Sequence, residues 1–160
     1  MSPDQEIKTN VILNNYEMWG EFARVHRLIS KERELELARY GITAEQSHVL
    51  HHLHNQGGSS TLTEIASSSL VNHNAASMIV RRMEKLGYLT RSKQKNSKQF
   101  CIAITAKGEE IFQKMPVNSV DMTFSSLSSK EAAQLLGCLN KLENRARDLL
   151  GMDYKPPFLE

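Results

Sequence analysis

The sequence predicts a mainly α-helical protein with one small β-hairpin, and three observations predict it. Apolar residues recur at three- and four-residue spacing over most of the 160 positions. Three pairs, Thr43/Gln46, Thr61/Glu64 and Ser128/Glu131, have the spacing of helix-opening capping boxes. Only between Gly87 and Ala106 does the apolar period fall to two, as a strand pair requires.

Composition sets the outer bounds. Apolar residues make up 40% and charged residues 24%, too apolar for a disordered chain and ordinary for a globular one. No apolar run approaches the roughly 18 residues that span a bilayer, so no membrane role is expected. Met1-Ser2-Pro3-Asp4 lacks the basic start of a signal peptide, so a cytoplasmic protein is expected. Two cysteines, Cys101 and Cys138, are too few for a disulfide framework and are expected to be reduced packing residues.

The first helix is expected over residues 6 to about 38, from Ile12, Tyr16, Trp19, Phe22, Ala23, Leu28 and Ile29. Such a rod would be ~50 Å long and overshoot a small domain, so part of its apolar stripe needs a second chain. Gly41 closes it. Thr43 and Gln46 open a second helix to about Asn55, with Val49, Leu50 and Leu53 inward, and Gly57-Gly58 stop it. Thr61 and Glu64 open a short third helix, followed by the polar stretch Ser67-Ser68-Ser69. Asn72 caps a helix over 73–86 whose inner face is Ala76, Ile79, Val80, Met83 and Leu86, and Gly87 ends it. A strand over Tyr88–Ser92 and another through Phe100, Ile102 and Ile104 flank the charged tip 93–98. A helix from Ala106 is broken near Pro116. Ser128 and Glu131 open the last one, in which Ala132, Leu135, Leu139, Leu142, Ala146 and Leu149 form a seam of alternating steps of 3 and 4.

Charge separates one part of this chain from the rest. The formal net charge is only +2, with 20 Lys and Arg against 18 Asp and Glu. Residues 73–98 hold seven basic residues and one acid, a net +6, which leaves 13 basic and 17 acidic elsewhere, a net −4. A short helix, a turn, a basic helix and a hairpin with a charged tip follow in the order of a winged helix-turn-helix. Duplex DNA is the polyanion that such a helix fits, because a major groove about 12 Å wide admits one helix. His73, Asn74, Ser77, Met78, Arg81 and Lys85 face outward, with Asn74, Ser77 and Met78 as base-reading candidates. Arg81, Arg82 and Lys85 are expected on phosphates, with an internal ion pair as the alternative for Arg82. Arg91, Lys93, Lys95, Asn96 and Lys98 of the hairpin reach the flanking backbone or minor groove.

The chain resembles the MarR family of dimeric transcription regulators over nearly its whole length. The segments concerned are Gly41-Ile42-Thr43, Leu62-Thr63-Glu64-Ile65-Ala66, the run from Ser77 to Leu89 that includes Arg81-Arg82-Met83-Glu84-Lys85-Leu86-Gly87, and Ile104-Thr105-Ala106-Lys107-Gly108. The resemblance implies a homodimer on a pseudopalindromic operator, repression of nearby genes, and release by a small, often aromatic, effector. It divides the chain into a DNA-binding winged helix-turn-helix over 43–106 and a helical dimerisation region over 1–42 and 107–160. Two positions depart from the family pattern. Met78 stands where many members have arginine, and Lys95-Asn96-Ser97-Lys98 lacks the acid and arginine of the usual wing. Lysine cannot supply arginine's bidentate fork.

Other constellations have competing readings. Tyr16, Trp19, Phe22, His51 and Met115 are candidates for an effector pocket, although aromatic residues at helical spacing more often form core or dimer seam. His48, His51, His52 and His54 form a cluster in which His48 and His52, four apart on one helix face, have workable metal geometry. They are read as outward-facing surface or pocket residues, with no metal expected, because zinc-sensing relatives also use the helix after the wing and no histidine follows His73. A metal- or redox-responsive regulator is thus an alternative, as is a winged-helix protein-interaction module that does not bind DNA. No phosphate-binding glycine loop, nucleophile elbow or metalloprotease motif is present, so neither an enzyme nor a cofactor is expected.

Overall fold

All three capping boxes form. A computed structural model of the chain describes residues 14–93 and 99–152. Its elements, in order, are α1 (Asn15–Ala38), α2 (Ala44–Asn55), β1 (Ser59–Thr61), α3 (Leu62–Ser68), α4 (His73–Lys85), β2 (Leu89–Lys93), β3 (Phe100–Ile104), α5 (Ala106–Lys114), α6 (Asn118–Phe124) and α7 (Ser129–Leu150). At the starts of α2, α3 and α7 the hydroxyl of Thr43, Thr61 or Ser128 accepts from the third helical N–H, and the Gln or Glu there reaches back. The chain is mainly helical around a three-stranded antiparallel sheet ordered β1-β3-β2, a winged helix.

The core is the inner side of α2, α3, α4 and the sheet. Val49, Leu50 and Leu53 meet Ile65, Ala76, Met83, Leu89 and Ile102, all fully or almost fully buried. α1 joins this body only at its C-terminal end, through Leu37. Its N-terminal half holds Tyr16, Met18, Trp19, Phe22 and Val25 in solvent. α7 contributes little to the core, and Leu135, Leu136, Leu142, Leu149 and Leu150 are exposed along it. α1 and α6 are tied together by a polar knot. Arg33 pairs with Glu36 at 2.9 Å and donates to the Pro116 carbonyl, while Glu36 accepts from both the backbone N–H and the hydroxyl of Ser119.

Several expectations change. α1 opens at Asn15 behind an Asn14 cap, not near residue 6, and the expected stretch before residue 14, with Ile12, lies outside the described residues. β1 was not anticipated: Ser59-Ser60-Thr61 has no apolar alternation and is a strand because its backbone pairs with Ala103, Ile102 and Cys101 of β3. Ser67 and Ser68 are helical, the last turn of α3. Leu86 is the exposed C-cap of α4, not part of its inner face, and Tyr88 is a buried residue ahead of β2. Cys138 is exposed on α7 instead of packed, while Cys101 is half-buried in β3.

His52 is the largest correction. Grouped by sequence with outward histidines, it is 3% exposed, with Nε2 2.9 Å from Ser60 Oγ. The reason is periodicity: position 52 lies three residues after Val49 and beside Leu53, hence on the buried side of α2. Ser60 donates onward to Glu64 at 2.7 Å, so it accepts from His52, whose Nε2 therefore bears the proton.

Candidate nucleic-acid interface

α4 is held in place on its inner face and at both ends. Ala76, Val80 and Met83 are buried. At the N-terminus Asn72 Oδ1 accepts from Ala75 N at 2.8 Å. At the C-terminus Gly87 adopts φ +78°, and the N–H groups of Gly87 and Tyr88 return to Glu84 and Met83 in a Schellman turn. Two carbonyls of this turn are taken by the start of α5. Lys107 Nζ donates to Leu86 O at 2.8 Å, and Thr105 Oγ1 donates to Gly87 O at 2.6 Å. A lysine here also offsets the negative end of the helix dipole. Gly108 permits this clamp: a Cβ on it would lie 2.2 Å from the Tyr88 carbonyl. This is the physical content of the Thr105-Ala106-Lys107-Gly108 run.

With the inner side locked, α4 presents its outer face. Asn74, Met78, Arg81 and Lys85 follow one another in steps of 4, 3 and 4 and form one exposed stripe. His73 and Arg82 are exposed beside it, and Ser77 is half-buried. Met78 is 65% exposed and, with Arg81, Arg82 and Lys85, lines a shallow groove. Among the described residues Arg81, Arg82 and Lys85 have no acid partner. The internal ion pair that sequence reasoning offered to Arg82 belongs to Arg91 instead. Its Nε lies 2.8 Å from Glu84 Oε2, and its guanidinium sits 5.6 Å from the Phe100 ring centre. Arg91 therefore braces the wing root against α4 and neutralises the one acid of the basic segment. Lys93 is exposed at the end of β2, while Lys95, Asn96 and Lys98 lie outside the described residues.

The histidines of α2 separate into different environments. His48 Nε2 lies 3.0 Å from the Ser68 carbonyl, and His54 Nδ1 lies 3.1 Å from Glu109 while stacking on Phe112. Among the described residues no group of three or more His, Cys, Asp or Glu is placed to hold a metal. His51 meets the Phe112 ring edge-on and borders a cleft of about 260 Å³. Arg33 and Leu37 of α1, Ser47 and His48 of α2 and Val120 of α6 also line it. Desolvation, aided by the Arg33 charge, holds the His51 imidazole below its ordinary pKa. Of the five residues proposed for an effector pocket, only His51 lines this cleft. Met115 is buried in the core, and Tyr16, Trp19 and Phe22 lie exposed on the far half of α1.

A capped helix with a basic outer face, preceded by a helix and turn and followed by a hairpin, defines a winged helix-turn-helix. Residues 40–99 match the model of the MarR family. Solved structures agree in fold. The chain is similar to AbsC, a MarR family transcriptional regulator from Streptomyces coelicolor, at 22% identity, TM-score 0.79, over 85% of this chain and 97% of that one. It is similar to the organohalide-sensing RdhR transcriptional regulator in its 2,4-dichlorophenol-bound form, at 24% identity and TM-score 0.75 over 93% and 89%. A MarR mutant from E. coli complexed with operator DNA is 20% identical with TM-score 0.71 over 82% and 97%. No curated protein matches the sequence. Among the described residues no helix is long and apolar enough to cross a membrane.

Proposed function

We propose that this protein is a sequence-specific DNA-binding transcription regulator that acts as a homodimer, represses nearby genes and is released by a small effector. The observation behind this reading is the unpaired basic stripe on α4, whose opposite face and ends are immobilised. In this reading 43–106 is the DNA-binding part. α4 enters the major groove with Asn74, Ser77 and Met78 toward base edges, and Met78 favours apolar contact such as a thymine methyl. Arg81, Arg82, Lys85 and Lys93 take phosphates, and the wing residues Lys95, Asn96 and Lys98 extend that contact. Arg91 acts by holding the wing.

The exposed apolar faces of α1 and α7 support pairing of two copies through 1–42 and 107–160, which suits a pseudopalindromic operator. The effector reading is supported by the cleft between α1, α2 and α6, where one wall belongs to the helix-turn-helix and another to the pairing region. The solved relatives with operator DNA and with 2,4-dichlorophenol support the same two partners.

Selection from a random-core duplex library tests the reading, followed by titration of the winning duplex against salt. Arg81, Arg82, Lys85 and Lys93 in two copies lead to a slope of log K against log salt of about −7, made steeper by Lys95 and Lys98. Arg81→Ala makes it shallower by about two per dimer. Absence of binding to any duplex at low salt refutes the reading and favours the interaction-module alternative.

A further inference from the structure

Leu70 lies in the turn between α3 and α4 with φ +52°, the one non-glycine residue with positive φ among those described. The turn is a Schellman motif: Leu70 N–H returns to Ser67 O and Val71 N–H to Ala66 O. Leu70 therefore occupies the left-handed position that glycine fills at Gly57, Gly87 and Gly151 in this same chain. A γ-branched side chain there opposes the backbone, because its Cβ crowds the neighbouring carbonyl.

Nothing inside the fold offsets that cost. The Leu70 side chain is 65% exposed and is absent from the apolar residues packed on the core, whereas its neighbour Val71 is among them. Leu70 stands two residues before Asn72, the cap of α4, at the edge of the surface that faces the groove in the proposed docking. A strained backbone holding an apolar side chain outward is typical of a functional position.

We infer that Leu70 is a DNA-contact residue that lays its side chain on the deoxyribose rings of the strand bordering the groove entrance. The inference rests on the DNA-binding reading above. The turn of a docked helix-turn-helix faces the sugar–phosphate backbone, not the bases, so the contact adds affinity without sequence preference. It is also uncharged, so it leaves the counterion count unchanged.

The experiment uses the full chain and a duplex selected by the parent protein from a random-core library. Leu70→Gly and Leu70→Asn both suit the left-handed backbone and should melt no lower than the parent. Both should bind the duplex about tenfold more weakly, from loss of an apolar contact. They should keep the parent's salt slope and lose as much on a scrambled duplex. Leu70→Met, which keeps an apolar side chain, should stay within about twofold of the parent. Folded Leu70→Gly and Leu70→Asn proteins that bind like the parent overturn the inference and leave the DNA-binding reading intact. A Leu70→Met protein as weak as Leu70→Gly overturns it as well. If the parent binds no duplex, the DNA-binding reading fails and this inference falls with it.

Discussion

At the scale of single residues, His52 shows how far burial changes an ordinary side chain. Its imidazole donates to Ser60, which donates to Glu64, and Nδ1 has no partner. Burial is the main cause holding its pKa below the ordinary value, against an opposing pull from Glu64. Unfolding frees the imidazole to take up a proton that the native state refuses. Stability from this group is therefore complete above the unfolded pKa near 6.5 and is lost as pH falls from there toward the lower folded pKa. The urea midpoint should drop between pH 7 and pH 5, and the drop should be smaller in His52→Gln; an equal drop in both would mean that His52 is not its source. Glu64 is held low chiefly by the Thr61 backbone N–H, and Glu36 chiefly by the Ser119 hydroxyl. Their contributions are lost only as pH falls further, through the carboxylate range, which keeps the two effects apart. The wheel position of His52 could be read from the sequence; Ser60 and the Glu36–Ser119 bond, 83 residues apart, could not, because only the fold brings those pairs together.

At the scale of elements, local chemistry accounts for most of what the sequence foretold. Thr43, Thr61, Asn72 and Ser128 all cap helices, because a cap needs only residues three apart. β1 escaped detection because its strand character comes from β3, and the Arg91–Glu84 pair because it joins a strand to a helix. The clamp at the end of α4 could be seen only as a motif; its meaning is that a Cβ on Gly108 would lie 2.2 Å from the Tyr88 carbonyl oxygen. Gly108→Ala should cost about 2 kcal/mol by forcing α5 away from Tyr88, measured as a lower urea midpoint. A neutral result would show that α5 and the Leu86–Tyr88 turn are not tightly apposed. Gly20 and Gly137 have open space around them, so alanine there meets no such obstacle within the chain.

At the scale of the whole molecule, the unpartnered surfaces set the expectations. The positions of the expected seam lie on α7, where Leu142 and Leu149 face solvent, with Leu149 71% exposed. Because each is exposed within one chain, Leu142→Asp/Leu149→Asp should leave the fold of a protomer intact and convert a dimer to monomers in sedimentation. An unchanged dimer would place the interface elsewhere. The same double variant should lose operator affinity far more than Arg81→Ala, since each protomer alone reaches one half-site.

The clamping of α4 has a consequence for how such a reader can change its address. The side chains that hold the helix point inward or come from Asn72, Thr105 and Lys107, while His73, Asn74, Met78 and Arg81 are exposed on its outer side. Exposed substitutions of this kind typically shift stability by less than about 0.5 kcal/mol. Asn74 and Met78, the exposed members of the proposed base-reading set, can therefore be randomised with the scaffold intact. Retargeting to a new operator is then a search over two letters of an otherwise unaltered text.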